Sequence, residues 1–264
     1  MHLNEQQRRS YLEAMGIDVW LPRDPVAGAP VAAASPDAGA SAAAPPATDT
    51  VAATVAATSA AAAAADGGAV AGAVAGAIAG LDWDALRRRV ADCTSCALHC
   101  GRTQTVFGVG DPGASWMFIG EAPGAEEDRR GEPFVGRAGK LLDEMLRSLG
   151  LARDRVYIAN TVKCRPPGNR NPTGAEAQAC RAFLDRQIEL VAPDVIVAVG
   201  KVSAGNLLGT DEPIGRLRGR AHRLGTIPLV VTYHPAYLLR SPAQKRLVWA
   251  DLCLARELAQ SGSP

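Results

Sequence analysis

The chain has 264 residues, nearly half of them apolar, with 28 Lys and Arg against 27 Asp and Glu. The net charge of +1 hides an asymmetry: residues 1–80 hold 3 cations against 7 acids, leaving 25 against 20 beyond them. Arginine, suited to planar two-pronged contact with phosphate, supplies 21 of those 25, which permits a nucleic-acid partner without requiring one. No run approaches the roughly 20 strongly apolar residues of a bilayer span. One uncharged candidate, residues 67–81, is too short and too rich in Gly and Ala. The N-terminus, MHLNEQQRRSYLEAMG, lacks a signal peptide's apolar core. A soluble, cytoplasmic protein that makes no use of a membrane is expected.

In chain order, residues 1–24 suggest a short amphipathic helix ending near Gly16, followed by Ile17, Val19, Trp20 and Leu21. Apolar side chains on a tether suit a docking peptide for a repair or replication partner. Residues 25–80 are mostly Ala, Gly, Pro, Val, Ser and Thr. Such a segment buries too little surface to offset its ordering entropy and reads as a disordered linker. Residues 81–260 are long enough for one domain with its own core. A helix over 82–92, with Asp82 as N-cap, opens it.

Apolar runs at 115–119, 155–158, 194–199 and 228–231 alternate with helical spacing at 138–149, 175–191 and 241–258. That alternation predicts an α/β fold, a parallel sheet covered by helices on both faces. Ligands of such folds sit beyond the carboxyl ends of the strands. The shortlist is therefore Gly120-Glu121, Asn160-Thr161, Gly200-Lys201 and Tyr233-His234. The first strand is followed by GEAPGAEED, which holds four carboxylates in nine positions: Glu121, Glu126, Glu127 and Asp128.

Six cysteines occur, at 93, 96, 100, 164, 180 and 253. Cys93-x2-Cys96 is a chelating spacing, and Cys164 and Cys180 form a second pair. Four thiolates suit a tetrahedral zinc or a [4Fe–4S] cluster, and spacing alone does not choose between them or exclude Cys100. Cys253, inside an apolar helix, reads as a packing residue.

GEAPGAEED (120–128), EPFVGRAGKLL (132–142), YIANTVKCRPPGNR (157–170) and HPAYLLR (234–240), with the cysteine spacing, resemble the family 4 uracil-DNA glycosylases, iron–sulfur members of their superfamily. The resemblance covers residues 81–258 and implies a three-layer α/β/α sandwich with a four-stranded parallel sheet. It also implies a [4Fe–4S] cluster on Cys93, Cys96, Cys164 and Cys180, leaving Cys100 a free thiol. By the same resemblance Phe134 stacks on uracil, Asn160 reads its edge beside Gly120, and His234 donates to O2 as charge collects there. Glu121 then serves the attacking water, and Glu127 crowds the 5-position against thymine, while Glu126 and Asp128 are expected as solvated charges. An amide that donates to O4 and accepts from N3–H rejects cytosine, whose pattern is reversed.

Leu238 and Leu239 read as an apolar wedge beside the flipped nucleotide. Arg240, Lys201, Arg165 and Arg170 are phosphate candidates, with Lys163 and Arg137 behind them. The partner is then uracil-containing DNA, bound by a monomer. The rival readings are a glycosylase of altered base preference, a non-catalytic binding module held by a metal centre, and an iron–sulfur electron carrier. An electron carrier needs no Phe134, Asn160 and His234 pocket, and a pure binding module needs no carboxylates near a polyanion.

Overall fold

The interior sheet follows from strands in which every side chain is buried. β2 (Trp116–Gly120), β3 (Tyr157–Asn160) and β4 (Val195–Val199) are buried throughout, and β6 (Ile227–Thr232) over its last four residues. A computed structural model describes residues 76–261, together with Ser10 and Ala14. The expected helix and docking peptide at 1–24 and most of the 25–80 linker lie outside the described residues. Ile78, on the linker side of the expected boundary, is buried beside Leu86 and Val90.

The strand order is β1-β3-β2-β4-β6-β5. The expected parallel set of four is present as β3-β2-β4-β6, with Gly120 paired to Asn160 at the carboxyl end of the first pair. The sheet nevertheless has six strands, because two antiparallel edges flank that set. β1 (Val109–Gly110) has only two residues, and β5 (Ala221–Leu224) alternates exposed and half-buried positions. Neither offers an apolar run to a reader of the sequence.

Because side chains alternate along a strand, each strand feeds two cores. Phe118, Ile158, Val197 and Val230 face α3 (Arg137–Ser148) and α8 (Lys245–Ser261). Met117, Ile119, Ala198 and Val231 face α4 (Gly174–Val191) and α5 (Lys201–Leu208). The result is three layers, helix on sheet on helix. The remaining helices are α1 (Trp83–Ala91), α2 (Ala125–Arg130), α6 (Ile214–Leu217) and α7 (Pro235–Leu238). Asp82 caps α1 as expected, accepting from Ala85 N at 2.8 Å. The second half of GEAPGAEED opens α2. Among the described residues, no helix is long and apolar enough to cross a membrane.

Candidate active site

The carboxyl ends of β2, β3 and β6 open on one cavity of about 420 Å³, walled by Glu121, Phe134, Asn160, His234, Tyr237 and Arg240 among others. Asn160 is 2% exposed and its Oδ1 has no hydrogen-bond partner. A buried acceptor left unmade costs about 1–3 kcal/mol, which marks it as waiting for a donor. Gly120 is required opposite it: a Cβ there would lie 2.4 Å from Asn160 Oδ1 and 2.6 Å from Phe134 Cζ.

Phe134 is buried, and it holds φ +55, a left-handed conformation that bulky residues avoid. Glu127 holds it there. Its Oε1 accepts from Val135 N at 3.0 Å and Gly136 N at 3.1 Å, and its Oε2 from Gly124 N at 3.1 Å. Both oxygens are thus committed to backbone, so this carboxylate builds the loop that presents the ring. Gly139 completes the fit, since a Cβ there would sit 1.7 Å from Phe134 O. The ring lies 5.5 Å from that of His234, 28° from parallel.

His234 caps α7, and its Nδ1 accepts from Ala236 N at 3.1 Å. A backbone N–H can only donate, so the neutral ring carries its proton on Nε2. Burial lowers the imidazole to about 4, which keeps it neutral in ordinary buffers. Glu121 differs from Glu127 in kind. Among the described residues its carboxylate has neither hydrogen bond nor ion pair, and burial alone pushes its proton affinity up. A half-buried carboxylate without a partner is poised to take a proton or orient a water.

Several expected contacts are redistributed. Asp128 is not solvated: it is 3% exposed, and its two oxygens accept from Thr103 N at 2.9 and 3.1 Å. Glu126 is the surface acid of the group, paired with Arg129. Leu238 is no wedge, because it is 1% exposed and packs against α3 and α8. Leu239, at 41%, is the one exposed large apolar side chain among the described residues. Arg240, Lys201 and Arg137 are exposed near the pocket mouth or on helix N-termini. Arg165 donates from Nε to Asn169 Oδ1 at 2.7 Å. Arg170 makes a two-pronged contact with Glu176 at 2.7 and 2.8 Å, which lowers that carboxyl to about 2. Lys163 cannot meet phosphate, since it is 1% exposed.

Cys93, Cys96, Cys164 and Cys180 line a second, narrow cavity, together with His99, Arg102 and Lys163. Arg102 Nη1 donates to Cys164 Sγ at 3.1 Å and to Cys93 O at 2.8 Å. Burial pushes the Cys96 and Cys164 thiols up, and that of Cys180 to about 12. Cys100 is exposed and stands outside this lining, its Sγ 3.4 Å from His99 Nε2. None of the six cysteines is in a disulfide. Among the described residues, no three His, Cys, Asp or Glu side chains are grouped to hold a metal ion.

The pocket can therefore seat a planar polar ring against an aromatic face, between an open amide acceptor and an imidazole donor. A family model for the uracil DNA glycosylase superfamily matches residues 107–253. A type-4 uracil-DNA glycosylase of Thermotoga maritima is 46% identical over 173 residues, covering 64% of this chain and 90% of that protein. Namesakes from Archaeoglobus fulgidus and Sulfurisphaera tokodaii are 41% and 42% identical, with 95% and 84% of their lengths covered. The chain belongs to the type-4 uracil-DNA glycosylases of that superfamily.

Proposed function

We propose that this protein releases uracil from DNA by hydrolysing the N-glycosidic bond, leaving an abasic site for base excision repair. The observation that carries the reading is the unpartnered Asn160 Oδ1, buried in the wall of a pocket that His234 shares. An extruded uracil offers an N3–H donor to that oxygen and an O2 acceptor to His234 Nε2–H. Cytosine, with an acceptor at N3, would leave the amide oxygen unmade.

Bond cleavage puts negative charge on the departing base and positive character on the sugar. A neutral imidazole that donates to O2 stabilises that anion without bringing a charge of its own. Glu121, free of protein partners, orients the water that attacks C1′ and takes up its proton. Phe134 supplies the stacking face. Leu239 fills the gap in the duplex, and Arg240 and Lys201, with Arg165 and Arg137, meet phosphates.

The donor set of the second cavity, four cysteine sulfurs in one lining, is of the kind that would hold a [4Fe–4S] cluster once drawn together around it. Two cations, Arg102 and the buried Lys163, face the sulfurs, and no carboxylate among the described residues neutralises Lys163. Buried cations without acidic partners suit anionic thiolates. Cys93, Cys96, Cys164 and Cys180 would hold the group, which when bound supplies a covalent tie between the segment after α1, the segment after β3, and α4. The reading carries with it a monomer acting in the cytoplasm. To test the activity, a labelled single-stranded oligonucleotide with one uracil is incubated with protein showing the cluster's visible absorbance, then treated with alkali. Strand breakage at the uracil is expected; an intact strand would overturn the reading.

A further inference from the structure

One buried group has no part in that mechanism. Lys163 is 1% exposed, follows β3 by three residues, and lies between the two cavities. Its Nζ donates to the backbone carbonyl of Asn160 at 2.8 Å, the residue whose amide lines the substrate pocket. It lines the cysteine cavity together with Cys164 and Cys180, and its carbonyl accepts from Val106 N at 2.8 Å. Among the described residues no carboxylate pairs with its Nζ, and its polar neighbours in the cavity wall include the Cys164 and Cys180 sulfurs.

A lysine this deeply buried costs several kcal/mol of solvation unless something anionic stands beside it. An apolar side chain of the same length would pack as well if the ammonium only filled space. The ammonium donates to the strand end that carries Asn160, and the same side chain lines the cysteine cavity. Arg102 makes the comparison clean. It also reaches the cysteines, through Cys164 Sγ, but its other contacts are the carbonyls of Cys93 and Ala91, away from the uracil pocket.

We propose that Lys163 is a positioning residue that joins the two sites: the buried counter-charge of the cysteine centre and the brace that holds Asn160 in place. The inference rests on the cluster reading above. It predicts that one ammonium serves both cluster retention and base recognition, whereas Arg102 serves retention alone.

The test uses the full chain with its cluster in place, and the variants Lys163→Met, Lys163→Gln, Arg102→Met, Asn160→Ala and Lys163→Met with Asn160→Ala. Bleaching of the visible absorbance in excess chelator reads retention without any use of activity. Lys163→Met, Lys163→Gln and Arg102→Met should each bleach roughly 10- to 100-fold faster than the parent, the scale of losing an outer partner of a metal ligand. In uracil release, Lys163→Met should lower kcat/KM, yet cost nothing further once Asn160→Ala is present, because coupled residues are not additive. Lys163→Gln keeps an N–H for the Asn160 carbonyl, so it should recover part of kcat/KM while bleaching as fast as Lys163→Met. It also keeps the test open if Lys163→Met does not fold.

Parent-like bleaching in both Lys163 variants, or losses that multiply in the double variant, would overturn the proposal. A parent protein that keeps its absorbance but releases no uracil would overturn the glycosylase reading, and bleaching alone would then decide this one.

Discussion

Two carboxylates six positions apart in one motif end in opposite conditions, and the difference decides their work. Glu127 is saturated by three backbone N–H groups, and Glu121 has none. Burial raises the folded Glu121 above its ordinary 4.5, so between those values the folded chain binds the proton more readily than the unfolded one. Its ionised form at neutral pH is therefore a cost to stability, retained because the water needs a base. Glu121→Gln is expected to raise the melting temperature near pH 7, with the gain vanishing once the pH is below 4.5. The same change should lower kcat by roughly 100-fold or more, the scale of general-base assistance. His234 behaves oppositely: between about 4 and its ordinary 6.5 the unfolded chain takes the proton that the folded site refuses. Stability therefore falls as the pH drops through that window, but the ring stays neutral, so His234 puts no break in the rate near 6.5. The acid limb of kcat/KM against pH should belong to Glu121, and a break at the ordinary histidine value would refute this division.

At the scale of elements, the parts legible in the sequence are those that side-chain type encodes. The four parallel strands show as apolar, β-branched runs, and a position after a strand's carboxyl end was enough to shortlist Gly120, Asn160 and His234. What escaped is carried by backbone partners or by helix phase. Asp128 meets an N–H 25 residues away, and no local pattern announces that. Lys163 stands in a basic run and reads as a phosphate contact, yet its side chain turns back to the carbonyl of Asn160. Leu238 and Leu239 are neighbours of the same type, and only the short helix α7 turns one into the core and the other out. Leu238→Ala is expected to cost about 3 kcal/mol of stability, as for other buried leucines. Leu239→Ala should leave the urea midpoint nearly unchanged and lower kcat/KM more on double-stranded than on single-stranded uracil substrate, since only a duplex needs the gap filled. Equal destabilisation by the two changes would contradict the burial pattern.

Across the whole molecule, Glu121 and Glu127 line the pocket, Asp128 is buried and Glu126 is paired with Arg129 at the surface, while Arg240 stands exposed in the pocket wall. That separation lets an arginine-rich domain meet a polyanion and still hold a carboxylate against the sugar. Not every arginine at the pocket belongs to the phosphate-facing set. Arg240 is exposed and makes no ion pair with any described residue, whereas Arg170, also in the wall, spends both terminal nitrogens on Glu176 one turn before Cys180. Arg170 therefore ties the pocket wall to the helix bearing a cysteine of the second cavity, and its charge is already answered. Counterion release makes the logarithm of binding fall linearly with the logarithm of salt, with a slope set by the phosphates neutralised. Arg240→Ala should reduce that slope by about 1 for a uracil-containing single strand, with little change in melting temperature. Arg170→Ala should do the reverse, leaving the slope in place and lowering the melting temperature, because it leaves Glu176 without its partner. Fluorescence anisotropy across a salt series, using catalytically slow Glu121→Gln as the parent, separates the two. A slope change on loss of Arg170 equal to that on loss of Arg240 would mean that the Glu176 pair opens to DNA, and would return Arg170 to the phosphate-binding set.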